Sequence, residues 1–178
     1  MEEIKRLKRE LKHKGEIVDF YADTMLLPDG RTATWDYIEH RKCAAAALAV
    51  LPDGKLLMVR QYRNAIERET LEIPAGARNS KEEPFETCAA RELEEETGYR
   101  CGKLTHLISI HTTVAFCNEQ IEIYVATDLT PTKQHLDPDE YVACEAVSVE
   151  DLCQRIYEGK IQDSKTVAAI LAYKDKYC

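Results

Sequence analysis

Residues 76–99 read GARNSKEEPFETCAARELEEETGY, and the heart of the stretch is Arg91-Glu92-Leu93-Glu94-Glu95-Glu96-Thr97-Gly98. The pattern predicts a helix over residues 83–97. Pro84 suits the first helical turn, where a missing N–H costs nothing. Phe85, Cys88, Ala89 and Leu93 recur at helical spacing and share one apolar face. Gly98 stands where a helix closes in a left-handed turn. Glu92, Glu95 and Glu96 fall at i, i+3 and i+4, so their carboxylates project from one side. Like charges so placed destabilise a helix by ~0.2–0.5 kcal/mol per pair. A solvated acidic face with Arg91 paired to Glu95 is one reading of such a run. The other is a patch of hard oxygen donors suited to Mg²⁺ or Mn²⁺.

The wider pattern favours the second reading, because the stretch resembles the Nudix box. Gly76, Glu83, Arg91, Glu92, Leu93, Glu95, Glu96, Gly98 and Tyr99 fall into that motif's places. Six residues rather than five separate Gly76 from Glu83, one extra residue in the loop before the helix. The half of the motif that bears the metal in the family is intact.

The chain has 178 residues, enough for one domain with its own core and a small N-terminal extension. A net charge of −8 argues against nucleic-acid backbone or a polybasic membrane contact as partner. No apolar run approaches the ~20 residues of a membrane helix. Residues 1–14, MEEIKRLKRELKHK, lack the apolar core of a signal peptide. The seven cysteines form no CxxC pair, which together points to free thiols in a reducing cytoplasm. Cys43, Cys88 and Cys144 read as small core fillers.

Read in order, residues 1–14 carry Ile4, Leu7 and Leu11 at the spacing of a weak helix. Residues 16–27 and 31–40 read as a strand pair around the turn Pro28-Asp29-Gly30. Residues 43–50, CAAAALAV, read as a buried strand, and 55–60 as its hairpin partner across Pro52-Asp53-Gly54. Residues 106–111, 120–127 and 146–149 are further strands. Ser148 opens a helix through Tyr157 that closes at Gly159, and Asp163 or Ser164 caps a last helix with Val167, Ile170 and Leu171 as its apolar stripe. The elements alone predict α+β or α/β, with strands outnumbering helices. The division expected is 1–42 as extension and hairpin, with 43–178 as the main domain.

The flanks resemble the ADP-ribose pyrophosphatase branch of the Nudix superfamily: Gln61-Tyr62-Arg63, then Glu72-Ile73-Pro74-Ala75-Gly76 before the box. The resemblance implies an α/β/α sandwich with a mixed sheet and an N-terminal β-hairpin. It implies hydrolysis of ADP-ribose or a related ADP-sugar to AMP and a sugar phosphate. Glu92, Glu95, Glu96 and the Ala75 carbonyl would hold Mg²⁺, with Mn²⁺ as an alternative, and Arg91 would orient the glutamates. Arg63, whose planar donor fork suits phosphate, and Glu72 would line the substrate site. Glu140, with Asp139 and Glu145 as alternatives, would be the general base. Thr34-Trp35-Asp36 resembles a context in which tryptophan stacks on adenine within a homodimer, worth ~1–3 kcal/mol per base. The sequence departs from the branch at His40-Arg41-Lys42-Cys43 and at Val114-Ala115, which leaves another nucleotide-sugar, NADH or a nucleoside triphosphate as substrates to weigh. A non-catalytic ADP-ribose sensor is the reading from outside enzymology.

Overall fold

A computed structural model describes residues 3–136, 138 and 140–178. Twelve strands and three α-helices follow one another among them. The strands are β1 (Lys5–Lys14), β2 (Val18–Leu26), β3 (Thr32–His40), β4 (Ala44–Val50), β5 (Leu56–Arg63), β6 (Arg68–Glu72), β7 (Ala75–Ala77), β8 (Tyr99–Arg100), β9 (Lys103–His111), β10 (Gln120–Thr127), β11 (Thr130–Pro131) and β12 (Ala143–Val147). The helices are α1 (Phe85–Thr97), α2 (Val149–Tyr157) and α3 (Ser164–Tyr177).

The central sheet runs β12-β5-β4-β10-β9, with β6 paired to β5 and β7 to β4. It is mixed, since β4 and β10 are parallel and the other pairs antiparallel. Period-2 alternation along β4 divides the core between two faces. Ala45, Ala47 and Ala49 pack with Cys88, Ala89 and Leu93 of α1. Ala46 and Leu48 pack with Leu152 of α2 and Ile170 of α3 on the other side. Helices on both faces give the α/β/α sandwich. The small side chains of β4 matter for the site: α1 packs over them, and its carboxylates reach β7, where Ala75 N–H donates to Glu96.

Sequence signals mark α1 and α3 well. Gly98 closes α1 at φ 70°, as expected of a left-handed cap. Pro84 precedes the first turn in extended geometry rather than joining it. Ser148 and Asp163 cap α2 and α3 through side-chain oxygens.

The N-terminus is the correction. Residues 5–14 are not a helix but a strand, antiparallel to β2, in a separate sheet ordered β1-β2-β3. Tertiary partners override the helical spacing. Asp23 on β2 is nearly buried and accepts Arg9 Nε at 2.7 Å and Nη2 at 2.6 Å. The Arg9 guanidinium also lies 3.5 Å from the Tyr37 ring centroid on β3. Arg41, just past β3, closes back on this sheet, donating to Asp19 at 2.9 Å and to the Glu16 carbonyl at 2.7 Å. Ile38 N–H donates to the Phe116 carbonyl and His40 N–H to Asn118 Oδ1, each at 2.7 Å, and these bonds tie the sheet to the body. The cysteine expectation also needs adjusting: Cys88 is buried, Cys43 is half-buried, and Cys144, on the outermost strand β12, is exposed. All seven cysteines are free thiols. Among the described residues no helix is long and apolar enough to cross a membrane.

Candidate active site

Three segments meet where β7 passes under α1. The first is the bend Glu72-Ile73-Pro74-Ala75-Gly76, pinned through three consecutive residues. Ile73 N–H donates to Thr166 Oγ1 at 3.0 Å, the Pro74 carbonyl accepts from Ala47 N–H at 2.9 Å, and Ala75 N–H donates to Glu96 Oε2 at 3.0 Å. The second is the glutamate face of α1. Gly76 faces it so closely that a Cβ there would lie 2.2–2.3 Å from the Glu92 carboxylate. Glycine at 76 therefore leaves the volume the carboxylate occupies.

Charge at this junction is set by burial. Glu96 is 3% exposed, and burial pushes its carboxyl up to about 8, against the Ala75 N–H and with Glu92 and Glu140 adding to the rise. Burial likewise pushes Glu92 up to about 7 against the pull of Arg91, with Glu95 and Glu140 reinforcing it. Arg91 donates to Glu83 at 3.1 Å, Glu92 at 2.7 Å, Glu95 at 2.8 Å and the Ala77 carbonyl at 3.0 Å. It stands between the loop, the helix and β7. Among the described residues no three acidic, histidine or cysteine side chains converge tightly enough to grip an ion as they stand. Arg91 separates Glu92 from Glu95, and Glu96 turns to the Ala75 peptide.

The donor chemistry nonetheless fits a divalent cation. All the donors are hard oxygens. Two of the carboxyls are buried with raised pKa values, so an ion of opposite charge would relieve their desolvation.

The third segment is a cleft of about 710 Å³ that shares Ala75 and Gly76 with the glutamate patch. Arg63, Glu72, His40, Thr112 and Glu119 are among the residues that line it. Glu72 is 1% exposed and accepts Arg63 Nε at 2.7 Å, Arg63 Nη2 at 2.6 Å and Thr70 Oγ1 at 2.6 Å, with Lys165 Nζ as a further donor. Burial alone would raise its pKa, but the Arg63 hydrogen bonds and the charges of Lys165 and Arg63 outweigh that and hold it down at about 2. His40 accepts Cys43 N–H on Nδ1 at 3.0 Å, which leaves Nε2 facing Glu119 Oε1 at 3.7 Å.

A NUDIX domain model matches residues 40–170. This chain belongs to the NUDIX family. An ADP-ribose pyrophosphatase of Bacillus subtilis is 38% identical to it over 170 residues, covering 94% of this chain and 91% of that one. A methanol dehydrogenase activator of Bacillus methanolicus is 39% identical with the same coverage. An ADP-ribose pyrophosphatase of Mycobacterium tuberculosis is 31% identical, covering 92% and 79%. A crystal structure of an ADP compounds hydrolase superposes with a TM-score of 0.87 at 18% identity over 97% of this chain and 92% of that one, which shows the shared fold.

Within this NUDIX domain, the structure brings together Arg91, Glu92, Glu95, Glu96 and Ala75, and sets Arg63 and Glu72 beside them. Glu95 is the outermost of the glutamates, its side chain 38% exposed. Glu140 is exposed, and its charge bears on both Glu92 and Glu96. Asp139 lies outside the described residues. Glu145 is engaged elsewhere, accepting Arg60 at 3.2 Å and Arg155 at 2.9 Å. Trp35 lies on β3 and does not line the cleft of its own chain. Sequence reasoning missed Lys165, Thr166 and Gln134. A usable signal exists for the first: a lysine in the opening turn of a helix opposes the macrodipole, so it points to a partner outside the helix.

Proposed function

We propose that this NUDIX chain is a pyrophosphohydrolase that cleaves ADP-ribose or a related ADP-sugar to AMP and the sugar phosphate, in the cytoplasm and with Mg²⁺. The observation that carries this is the shared wall at Ala75 and Gly76. It sets a buried carboxylate patch, Glu92 and Glu96, directly beside a cleft that presents the Arg63 guanidinium. The names of the Bacillus subtilis and Mycobacterium tuberculosis relatives support the choice of substrate.

Arg63 binds the diphosphate through donors that Glu72 leaves unused. Glu92, Glu95, Glu96 and the Ala75 carbonyl would hold the cation, which supplies positive charge opposite the diphosphate and lowers the pKa of the attacking water. Arg91 holds Glu92 and Glu95 in place and offsets their mutual repulsion. Glu140 takes the proton from water as the new P–O bond forms. The bridging P–O bond breaks, and the leaving phosphate departs with its electron pair.

Residues 1–42 are proposed to serve dimerisation. Leu7, Leu11, Ile17 and Trp35 of this extension are exposed apolar side chains, and Trp35 would stack on the adenine bound in a partner's cleft. A monomer in sedimentation at micromolar protein would remove this part of the proposal.

Product analysis tests the reaction. The protein is incubated with Mg²⁺ and, separately, ADP-ribose, GDP-mannose, NADH or ATP, beside an EDTA control. AMP and ribose 5-phosphate from ADP-ribose, lost in EDTA, are expected. Turnover of another substrate alone would keep the chemistry and move the specificity. Binding of ADP-ribose without turnover would make the chain a sensor.

A further inference from the structure

Lys165 is 6% exposed in the first turn of α3, far in sequence from every motif of the site. Its ammonium donates to Glu72 Oε2 and, at 3.0 Å, to Asp163 Oδ2. Glu72 in turn takes two of the five N–H groups of Arg63. A chain of charge-assisted hydrogen bonds thus runs from the cap of α3 to the guanidinium in the cleft. A parallel branch leaves the same cap: Asp163 Oδ2 accepts Thr166 Oγ1 at 2.6 Å, and Thr166 Oγ1 accepts Ile73 N–H at 3.0 Å.

We propose that Lys165 is a positioning residue for substrate binding, which through Glu72 aims the Arg63 guanidinium at the diphosphate; this rests on the pyrophosphohydrolase reading. The physical argument has two parts. Without Lys165, one oxygen of a fully buried carboxylate loses a donor, and Glu72 can pivot to recover it, taking Arg63 along. Lys165 also offsets the charge of Glu72. Counted with Asp163, the four groups Arg63, Glu72, Lys165 and Asp163 balance when Lys165 is present; without it the cluster carries a net negative charge behind Arg63, which weakens its attraction for phosphate. Thr166 guards the backbone of the same bend, so the two branches separate side-chain aim from backbone placement.

A double-mutant cycle on the full chain tests this, using K165M, R63A and the double variant, with K165R as the conservative replacement and melting curves for all four. The readouts are kcat and KM for ADP-ribose in Mg²⁺, and calorimetric binding of ADP. Loss of one charge-assisted contact predicts a KM and ADP Kd raised about tenfold in K165M with kcat nearly kept, and substantial rescue in K165R. In the R63A background the same substitution should add less than about twofold, because its effect travels through Arg63. An equal effect with and without Arg63 would overturn the proposal and make Lys165 a direct contact. An unchanged KM and ADP Kd in folded K165M would also overturn it. If the wild type binds ADP yet fails to hydrolyse ADP-ribose, the function reading falls and the tether is judged on the ADP cycle. If it binds neither, both fall.

Discussion

Gly76 and Glu96 carry the sharpest consequences at the scale of single residues. A methyl group at 76 would sit 2.2–2.3 Å from the Glu92 carboxylate, deep inside van der Waals contact. Helix and sheet are both backed by core, so the carboxylate must swing away. Gly76→Ala is expected to keep its far-UV dichroism and lose kcat by about 100-fold, the scale of a 1 Å misplacement at a reacting centre. Activity within about twofold of wild type would show that Glu92 does not work from this position. Glu96→Gln keeps an acceptor for Ala75 N–H but removes the anion, so turnover should vanish while the fold persists. Near-normal turnover in that variant would remove Glu96 from the cation site.

Between residue and fold, the C-terminus of α1 acts as a mooring. A helix end leaves carbonyls without partners, and here the loop after β11 supplies them. Thr132 N–H donates to Gly98 O at 2.6 Å, His135 N–H to Glu95 O at 2.9 Å, and Gln134 Nε2 to Glu96 O at 2.6 Å. Gln134 also reaches Val142 O at 3.2 Å, clasping the segment that bears Glu140. The helix that carries the glutamates thus holds the loop that carries the proposed base. Gln134→Ala is expected to lower kcat several-fold more than it raises KM, with a melting temperature within about 3 °C of wild type, since a net hydrogen bond is worth only ~0.5–1.5 kcal/mol. A KM effect alone would place the loop in substrate binding rather than in the chemical step.

For the whole molecule, the site's electrostatics shape stability against pH. Glu72 is held at about 2 in the fold, below the ordinary carboxylate value. Its contribution is present above the unfolded pKa near 4.5 and fades as pH falls from there toward 2. Glu92 and Glu96 have the opposite sign. Raised to about 7 and about 8, they bind protons more tightly folded than unfolded, so stability declines as pH climbs from 4.5 through those values. The two limbs predict a melting temperature in EDTA that peaks at about pH 4–4.5 and falls on both sides. Glu96→Gln should lift the alkaline limb, by ~2–4 °C for each kcal/mol relieved. A flat profile from pH 5 to 8, identical in wild type and E96Q, would mean that these carboxyls are not perturbed by burial.

What the sequence by itself determined is local. Helical spacing, the glycine stop and the i, i+3, i+4 glutamates define α1, and each depends on neighbours within two turns. The run of alanines in β4 and the caps at Ser148 and Asp163 are legible for the same reason. Tertiary structure decided whatever needs a distant partner. Residues 5–14 became a strand because Asp23 and Tyr37 offer Arg9 more than an isolated helix could. Glu72, expected to line the cleft, has both carboxylate oxygens taken by Arg63, Thr70 and a lysine 93 residues away. The raised pKa values of Glu92 and Glu96 come from burial against β7, a quantity that no spacing along the chain encodes. Chain neighbours set backbone conformation, whereas desolvation and charge pairing are set by what the packed core brings alongside.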